Sequence, residues 1–251
     1  MIRTIFERIR QKKRTIPFPG RDPVLPELFR GVPVIDAARC PAGCAACVAA
    51  CLTGALRRTE QGPAIDLGRC LFCTDCTAAC PHGGLKFGTD WKLAARTRAD
   101  LDFAGGTHPP ARMLDAKIQK LFKRSFRLRQ VSAGGCNACE ADTNVLNTVV
   151  FDLSRFGIQF VASPRHADGI LVTGPVPQNM WLALKKTYAA VPSPKVVIAV
   201  GACAISGGPF IDHAEVHNGV EGLLPVDLYI PGCLPHPITI LDGMLRLIGR
   251  L

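Results

Sequence analysis

The chain has 251 residues, including twelve cysteines, and its 30 basic against 20 acidic residues give a formal net charge of +10. Two small domains fit in that length. The longest apolar run, Val196 to Ile205, is about half of what a membrane-crossing helix needs, so no spanning segment is expected. The N-terminus shows no apolar leader core or small-residue cleavage site, which predicts a reducing cytoplasmic setting where thiols hold metal instead of pairing as disulfides.

The charge is concentrated in two stretches. Residues 1–14 hold six basic residues against Glu7, and residues 112–129 hold seven against Asp115. In the first, Ile2, Ile5, Phe6 and Ile9 fall at i, i+3, i+4 and i+7, which predicts a short helix with one apolar stripe flanked by arginines and lysines. Such a helix suits an anionic membrane surface or a partner subunit. Residues 15–35 contain five prolines and no sustained period, and are expected to form an extended arm wrapping a neighbour.

Residues 36–90 carry the densest motif. Arg69 to Pro81 reads RCLFCTDCTAACP, with Cys70, Cys73, Cys76 and Cys80 at the bacterial ferredoxin spacing for [4Fe-4S] ligation, whose fourth cysteine serves a second cluster. A zinc site favours two separated cysteine pairs, and disulfides require an oxidising compartment. The motif is duplicated: Ala50-Cys51-Leu52-Thr53-Gly54-Ala55-Leu56 matches Ala79-Cys80-Pro81-His82-Gly83-Gly84-Leu85 at an offset of 29, which also relates Cys44 to Cys73 and Cys47 to Cys76. Crossed ligation then assigns Cys40, Cys44, Cys47 and Cys80 to one cluster and Cys70, Cys73, Cys76 and Cys51 to the other. The first half departs from the pattern twice. Three residues separate Cys40 from Cys44, where Gly43 is expected to absorb the extra one, and Leu52 stands where proline usually follows the fourth cysteine.

Residues 91–111 read as a linker punctuated by Gly and Pro. Leu114, Ile118, Leu121, Phe122 and Ser125 then line up at helical spacing with basic residues opposite, so residues 91–125 are assigned to a linker and a basic helix that packs one stripe. Nothing interleaves aromatics with that charge, and no nucleic-acid partner is expected.

From residue 126 strands alternate with helices. Strands are predicted at Phe126–Ser132, Ile158–Ala162, Ile170–Thr173, Lys195–Val200 and Val226–Ile230, and helices at Ala141–Phe156, Gln178–Ala190 and Pro235–Ile248. In the first helix Val145, Leu146, Val149, Val150 and Leu153 are expected to face inward. Several strands are apolar throughout, as in a parallel sheet covered on both faces. Ligands of such sheets sit at the carboxyl ends of strands. Cys136 and Cys139 follow one strand, Cys203 another and Cys233 a third, so these four are predicted to hold a third [4Fe-4S] cluster. The fold class is thus an α+β ferredoxin-like two-cluster domain (36–90) after a helix and arm (1–35), followed by an α/β flavodoxin-like parallel-sheet domain (126–251).

The motifs GGCNACE, ASPRHADGILVTGPV, VIAVGACAISGG and YIPGC resemble those of the small, electron-transfer subunit of membrane-bound group 4 [NiFe]-hydrogenases, related to the B-type subunit of respiratory complex I. Residues 15–90, including LPELFRGVPVIDAARC, resemble the two-cluster ferredoxin-like subunit of the same complexes. The resemblance implies an electron wire of three [4Fe-4S] clusters that serves a nickel-iron centre on a separate large subunit, alongside other electron-transfer and membrane subunits. The expected location is peripheral, on the cytoplasmic face of the inner membrane. Glu140 is a candidate proton relay or a partner of its own turn, and Arg165 and His166 are candidates to tune the strand-end cluster or to close a loop. The alternatives are a complex-I-like quinone reductase subunit, a sulfur- or ferredoxin-linked one, and a non-catalytic assembly scaffold.

Overall fold

The computed structural model describes residues 2–60, 62–104, 108–109, 111–114, 116–122 and 124–251, without the side chains of 116–118. The chain opens with helix α1 (Ile2–Gln11), whose apolar stripe is exposed along its whole length. The proline-rich arm that follows lies on this chain's own carboxy-terminal half. Arg155 donates to the carbonyls of Ile16 and Phe18 at 3.0 Å each, Ile16 N donates to Val150 O, and Phe18 is buried.

The duplicated region comprises β1 (Pro33–Ile35), α2 (Ala46–Ala49), β2 (Leu56–Thr59), β3 (Gly62–Asp66), α3 (Asp75–Ala78) and β4 (Leu85–Phe87). Strand β1 pairs antiparallel with β4, and β2 with β3, so the repeat in sequence is a repeat in space: each short helix is followed by a strand that pairs with one of the other half. The segment read as a linker is packed. It supplies β5 (Asp102–Phe103) to the edge of β3, and its Trp91, Leu93, Ala94, Ala95 and Leu101 are all buried.

Helix α4 (Ala116–Phe122) occupies the basic stretch. Leu114 and Phe122 are buried, but Leu121 and Ser125 are exposed, so those positions do not form one packed stripe. Leu114 precedes the helix and is set by its amide, which donates to Leu247 O. The Ile118 and Lys117 side chains, Asp115 and Lys123 lie outside the described residues.

The carboxy-terminal half contains β6 (Phe126–Ser132), α5 (Ala138–Val145), β7 (Ile158–Phe160), β8 (Gly169–Thr173), α6 (Gln178–Ala190), β9 (Val196–Val200), α7 (Ala202–Ser206), β10 (Leu228–Ile230) and α8 (Pro237–Leu247). The five strands are parallel in the order β10-β9-β8-β6-β7, the doubly wound flavodoxin-like arrangement. Two sequence expectations shift here. The predicted long helix stops at Val145, where Thr148 turns its hydroxyl back to Val145 O and Asp152 takes a left-handed conformation. Leu146 and Leu153 stay buried, while Val149 and Val150, off the helix, are exposed. Helix α8 begins at Pro237 because His236 caps it, its Nδ1 accepting from Ile238 N at 3.2 Å.

Both sheet faces are covered, which is why the strands are apolar at consecutive positions. Val196, Ile198 and Val200 share a core with α8, while Val197 and Ala199, with Ile170 and Val172, share one with Leu67, Leu93 and Leu101 of the amino-terminal half. Ala95 bridges Tyr229 of β10, and Ser206 donates to Gly68 O at 2.9 Å, so the two halves meet through backbone as well as side chains.

Candidate iron-sulfur sites

The two short helices of the repeat bring cysteines from opposite ends of the segment together. Cys40, Cys44, Cys47 and Cys80 line one cavity, beside Arg39, Pro63 and His82. Cys51, Cys70, Cys73 and Cys76 line a second, walled by Leu56, Ile65, Leu71 and Phe87. These are the sets that the crossed spacing predicts. Burial, and then the neighbouring thiols, push Cys70 up to about 12 and Cys76 up to about 11. Burial, then Cys40 and Cys80, likewise raises Cys47.

Burial and crowding alone oppose ionisation of these thiols, and a bound metal group would supply the positive charge that offsets it, because a coordinating thiol gives up its proton outright. Among the described residues no three His, Cys, Asp or Glu side chains converge on a point as one metal ion requires. A cubane does not require it, since each thiolate holds its own iron atom. The residues present therefore fit [4Fe-4S] groups.

Local backbone aims these side chains. Phe72 (φ 54) and Thr74 (φ 76), on either side of Cys73, are left-handed, an uncommon state for non-glycine residues that persists where the surroundings impose it. Gly43 (φ +80) corresponds to Phe72 at the repeat offset, so a left-handed residue before the second cysteine belongs to both halves. The extra residue is instead taken up in the Pro41–Cys44 turn, closed by Cys44 N donating to Pro41 O at 3.1 Å. Leu52, in the place of the usual proline, is exposed.

The sulfurs also have donors. Ala55 N reaches Cys51 Sγ at 3.2 Å and Phe72 N reaches Cys70 Sγ at 3.3 Å. Burial opposes ionisation of Cys80, but the amides of His82, Gly84, Leu85 and Gly83 outweigh it and lower that thiol. Arg58 was not singled out by sequence reasoning. Its guanidinium donates to Cys40 Sγ at 3.0 Å. The signal available for it was the repeat, which pairs Arg58 with Phe87.

The other four cysteines gather at the carboxyl edge of the parallel sheet. Cys136 follows β6, Cys139 lies in α5, Cys203 in α7 and Cys233 after β10. Burial, then Cys203, Glu140, Cys233 and Cys136, pushes the Cys139 thiol up; burial, then Cys233, Cys136 and Glu140, pushes Cys203 up to about 11. Gly201 (φ +88) lets β9 pass close to them, since a Cβ there would stand 2.5 Å from Cys139 Sγ. Asn137, left-handed like Thr74, follows the first cysteine of its Cys-x-x-Cys pair.

Glu140 sits where the strand order reverses. It is buried, and its Oε1 accepts hydroxyl hydrogen bonds from Ser132 at the end of β6 and Thr173 at the end of β8, each at 2.5 Å. Arg165 and His166 lie elsewhere. They are exposed in a turn (Pro164–His166) that leads into the amino end of β8, whereas the cysteines follow carboxyl ends. Five residues of strand, about 16 Å at roughly 3.3 Å each, separate that turn from the cysteine edge.

Neighbouring sets lie within electrostatic reach of each other. Burial, then Cys136 and Cys73, raises Cys233, so the strand-end set adjoins the Cys70 set; Cys47 is among the thiols that raise Cys76, so the Cys70 set adjoins the Cys40 set.

Residues 136–247, which contain all four strand-end cysteines, match the family described as NADH ubiquinone oxidoreductase, 20 Kd subunit, and residues 39–84 match the 4Fe-4S dicluster domain. The probable membrane-bound hydrogenase subunit mbhJ of Pyrococcus furiosus is 38% identical over 136 residues, which are 54% of this chain and 81% of that protein. The chain belongs to the 20 Kd subunit family, with a dicluster domain before it. Formate hydrogenlyase subunit 7 of Escherichia coli is 42% identical over 138 residues, 55% of this chain and 54% of that one. The B-type subunit of NADH-quinone oxidoreductase from Bacteroides thetaiotaomicron is 46% identical over 112 residues, 44% of this chain and 57% of that one. The chain thus spans about half the length of these two relatives. The dicluster match implies two [4Fe-4S] clusters in the amino-terminal half.

Proposed function

We propose that this chain is the electron-transfer subunit of a membrane-associated [NiFe]-hydrogenase-type complex. The observation that carries the reading is the sorting of the twelve cysteines into three four-cysteine sets, two of them lining cavities and the third gathered at the carboxyl edge of the sheet. When bound, the [4Fe-4S] clusters supply one-electron carriers. Cys40, Cys44, Cys47 and Cys80 would hold one, Cys51, Cys70, Cys73 and Cys76 the next, and Cys136, Cys139, Cys203 and Cys233 the third.

The protein's own residues set the conditions for that role. Leu56, Ile65, Leu71 and Phe87 give the middle site an apolar wall, while Cys73 stays exposed. Backbone amides at Cys51, Cys70 and Cys80 stabilise charge on the sulfurs. Glu140 holds the end of β6 to the end of β8 through two hydroxyls, and we assign it to this turn in preference to a proton relay. Cys136 and Cys233 are exposed, leaving the strand-end set open to a large subunit that brings the nickel-iron centre. Residues 1–14 would hold the chain to the cytoplasmic face of the inner membrane. Among the described residues no helix is long and apolar enough to cross a membrane.

The likeness to the B-type subunit of NADH-quinone oxidoreductase favours a second reading, a complex-I-like quinone reductase subunit without nickel. Metal analysis of the complex purified with its large subunit separates the two. Nickel together with hydrogen-dependent dye reduction is the expected result. A nickel-free complex that reduces quinone and does not respond to hydrogen would establish the second reading.

A further inference from the structure

Arg58, on β2 and half-buried, spans the irregular cysteine loop with one rigid fork. Besides the bond to Cys40 Sγ at 3.0 Å, it donates to Cys44 O at 2.8 Å and, through its other terminal nitrogen, to Pro41 O at 3.1 Å. This is the loop that has one residue more than its counterpart between the first two cysteines. The duplication offers an internal comparison, because at the offset of 29 Arg58 corresponds to Phe87. Phe87 lines the Cys70 cavity and packs on Phe72 with ring centroids 5.5 Å apart. The sulfurs of Cys70 and Cys51 receive backbone amides there. A guanidinium at that loop, Arg30, donates to the Phe72 carbonyl at 2.5 Å. One half of the repeat therefore places a phenyl ring where the other places a cation on a cysteine sulfur.

We infer that Arg58 sets the reduction potential of the Cys40, Cys44, Cys47 and Cys80 site, raising it through its hydrogen bond to Cys40, while its two carbonyl contacts hold the lengthened loop in ligating shape. The inference rests on the reading of those four cysteines as ligands of a [4Fe-4S] cluster. Reduction of such a cluster adds one electron and no atom, so negative charge on the thiolate sulfurs grows. A charge-assisted donor binds the more electron-rich sulfur more strongly, which stabilises the reduced form over the oxidised one. Hydrogen bonds to sulfur and local charge are recognised determinants of cluster potential. Lysine retains the charge but not the planar fork that reaches sulfur and carbonyls together.

The test is a potential-controlled EPR titration of the full chain, purified anaerobically and reduced with dithionite. The signal of the site is identified as the one that Cys40→Ser alters. Arg58→Gln is expected to lower the midpoint of that signal while the Cys70 site keeps its own, and Arg58→Lys to fall between wild type and Arg58→Gln. Should Arg58→Gln fail to retain iron at the site, the wild type decides. Arginine labelled with nitrogen-15 should show hyperfine coupling to the reduced site, and Arg58→Lys should remove it. An unchanged midpoint in Arg58→Gln, or no coupling in the wild type, overturns the inference. A wild-type chain with iron for two sites only, and no signal altered by Cys40→Ser, would instead overturn the ligand assignment on which the inference rests, and the inference with it.

Discussion

Arg98 grips Asp66 with two hydrogen bonds, of 2.7 and 2.5 Å, and its Nε lies 3.3 Å from Glu221. This fork joins the two halves of the chain, because Asp66 ends β3 and Glu221 belongs to the carboxy-terminal half. Asp66 also accepts from Gly68 N at 2.9 Å, so the same carboxylate shapes the turn that delivers Cys70. Side-chain exposure of 25% for Arg98 and 18% for Asp66 places the pair between surface and core. Arg98→Ala should therefore remove roughly 1.5 to 3 kcal/mol, the range for hydrogen bonds to charged groups. Thermal unfolding under anaerobic conditions should show a midpoint lower by several degrees, with faster loss of iron to a chelator from the Cys70 site. An unchanged midpoint would mean that the shared apolar core alone holds the junction.

The strand-end site depends on an open backbone at Gly201. Alanine there is unfavourable twice over: φ is +88, and its Cβ would overlap Cys139 Sγ at 2.5 Å. Gly201→Ala should displace that sulfur and lower the iron content from about twelve to about eight per chain, three cubanes becoming two. The amino-terminal signals should persist, since β9 contributes nothing to their ligands. Full iron content in this variant would remove Cys139 from the ligand set.

Much of this arrangement was legible because its rules are local. Cysteines two residues apart on a short helical turn must share a site, and apolar strands between helices must form a parallel sheet whose carboxyl ends collect ligands. The same rule sets Arg165 and His166 at the opposite edge from the cysteines, because they precede their strand whereas the four cysteines follow theirs. The burial of Trp91, Leu93 and Ala95 was not legible, because it depends on pairing with β10 more than 130 residues away, and Gly and Pro nearby mimic a free linker. Arg58 escaped for a similar reason: on β2 it reads as one more polar residue, and although the repeat sets it opposite Phe87, it is the fold that brings the Cys40 loop beneath it.

The crossing of ligands between the halves makes a prediction for Cys51. It lies after α2, beside the Cys44 and Cys47 motif in sequence, yet it lines the cavity of Cys70, Cys73 and Cys76. Cys51→Ala should perturb the spectrum of that site and leave the Cys40, Cys44, Cys47 and Cys80 site assembled. Damage confined to the Cys40 site would show that ligation follows sequence proximity and would overturn the crossed assignment.

Helix α1 presents an exposed apolar stripe. Ile2, Ile5, Phe6 and Ile9 are 73, 59, 67 and 68% exposed, a continuous apolar stripe in water with Arg3, Arg8, Arg10 and Lys12 around it. Burying such side chains is worth roughly 1.5 to 3 kcal/mol each, and each basic residue near anionic lipid adds about 1 kcal/mol. Ile5→Asp with Phe6→Asp should remove roughly 3 to 6 kcal/mol of that burial and oppose the headgroups. Flotation with anionic vesicles should then lose the chain while its iron content stays at the wild-type value. High salt should weaken attachment of the wild type, because exposed charges are screened within about 8 Å at physiological ionic strength. Attachment that resists both salt and the double substitution would show that a partner subunit, and not α1, holds the chain at the membrane.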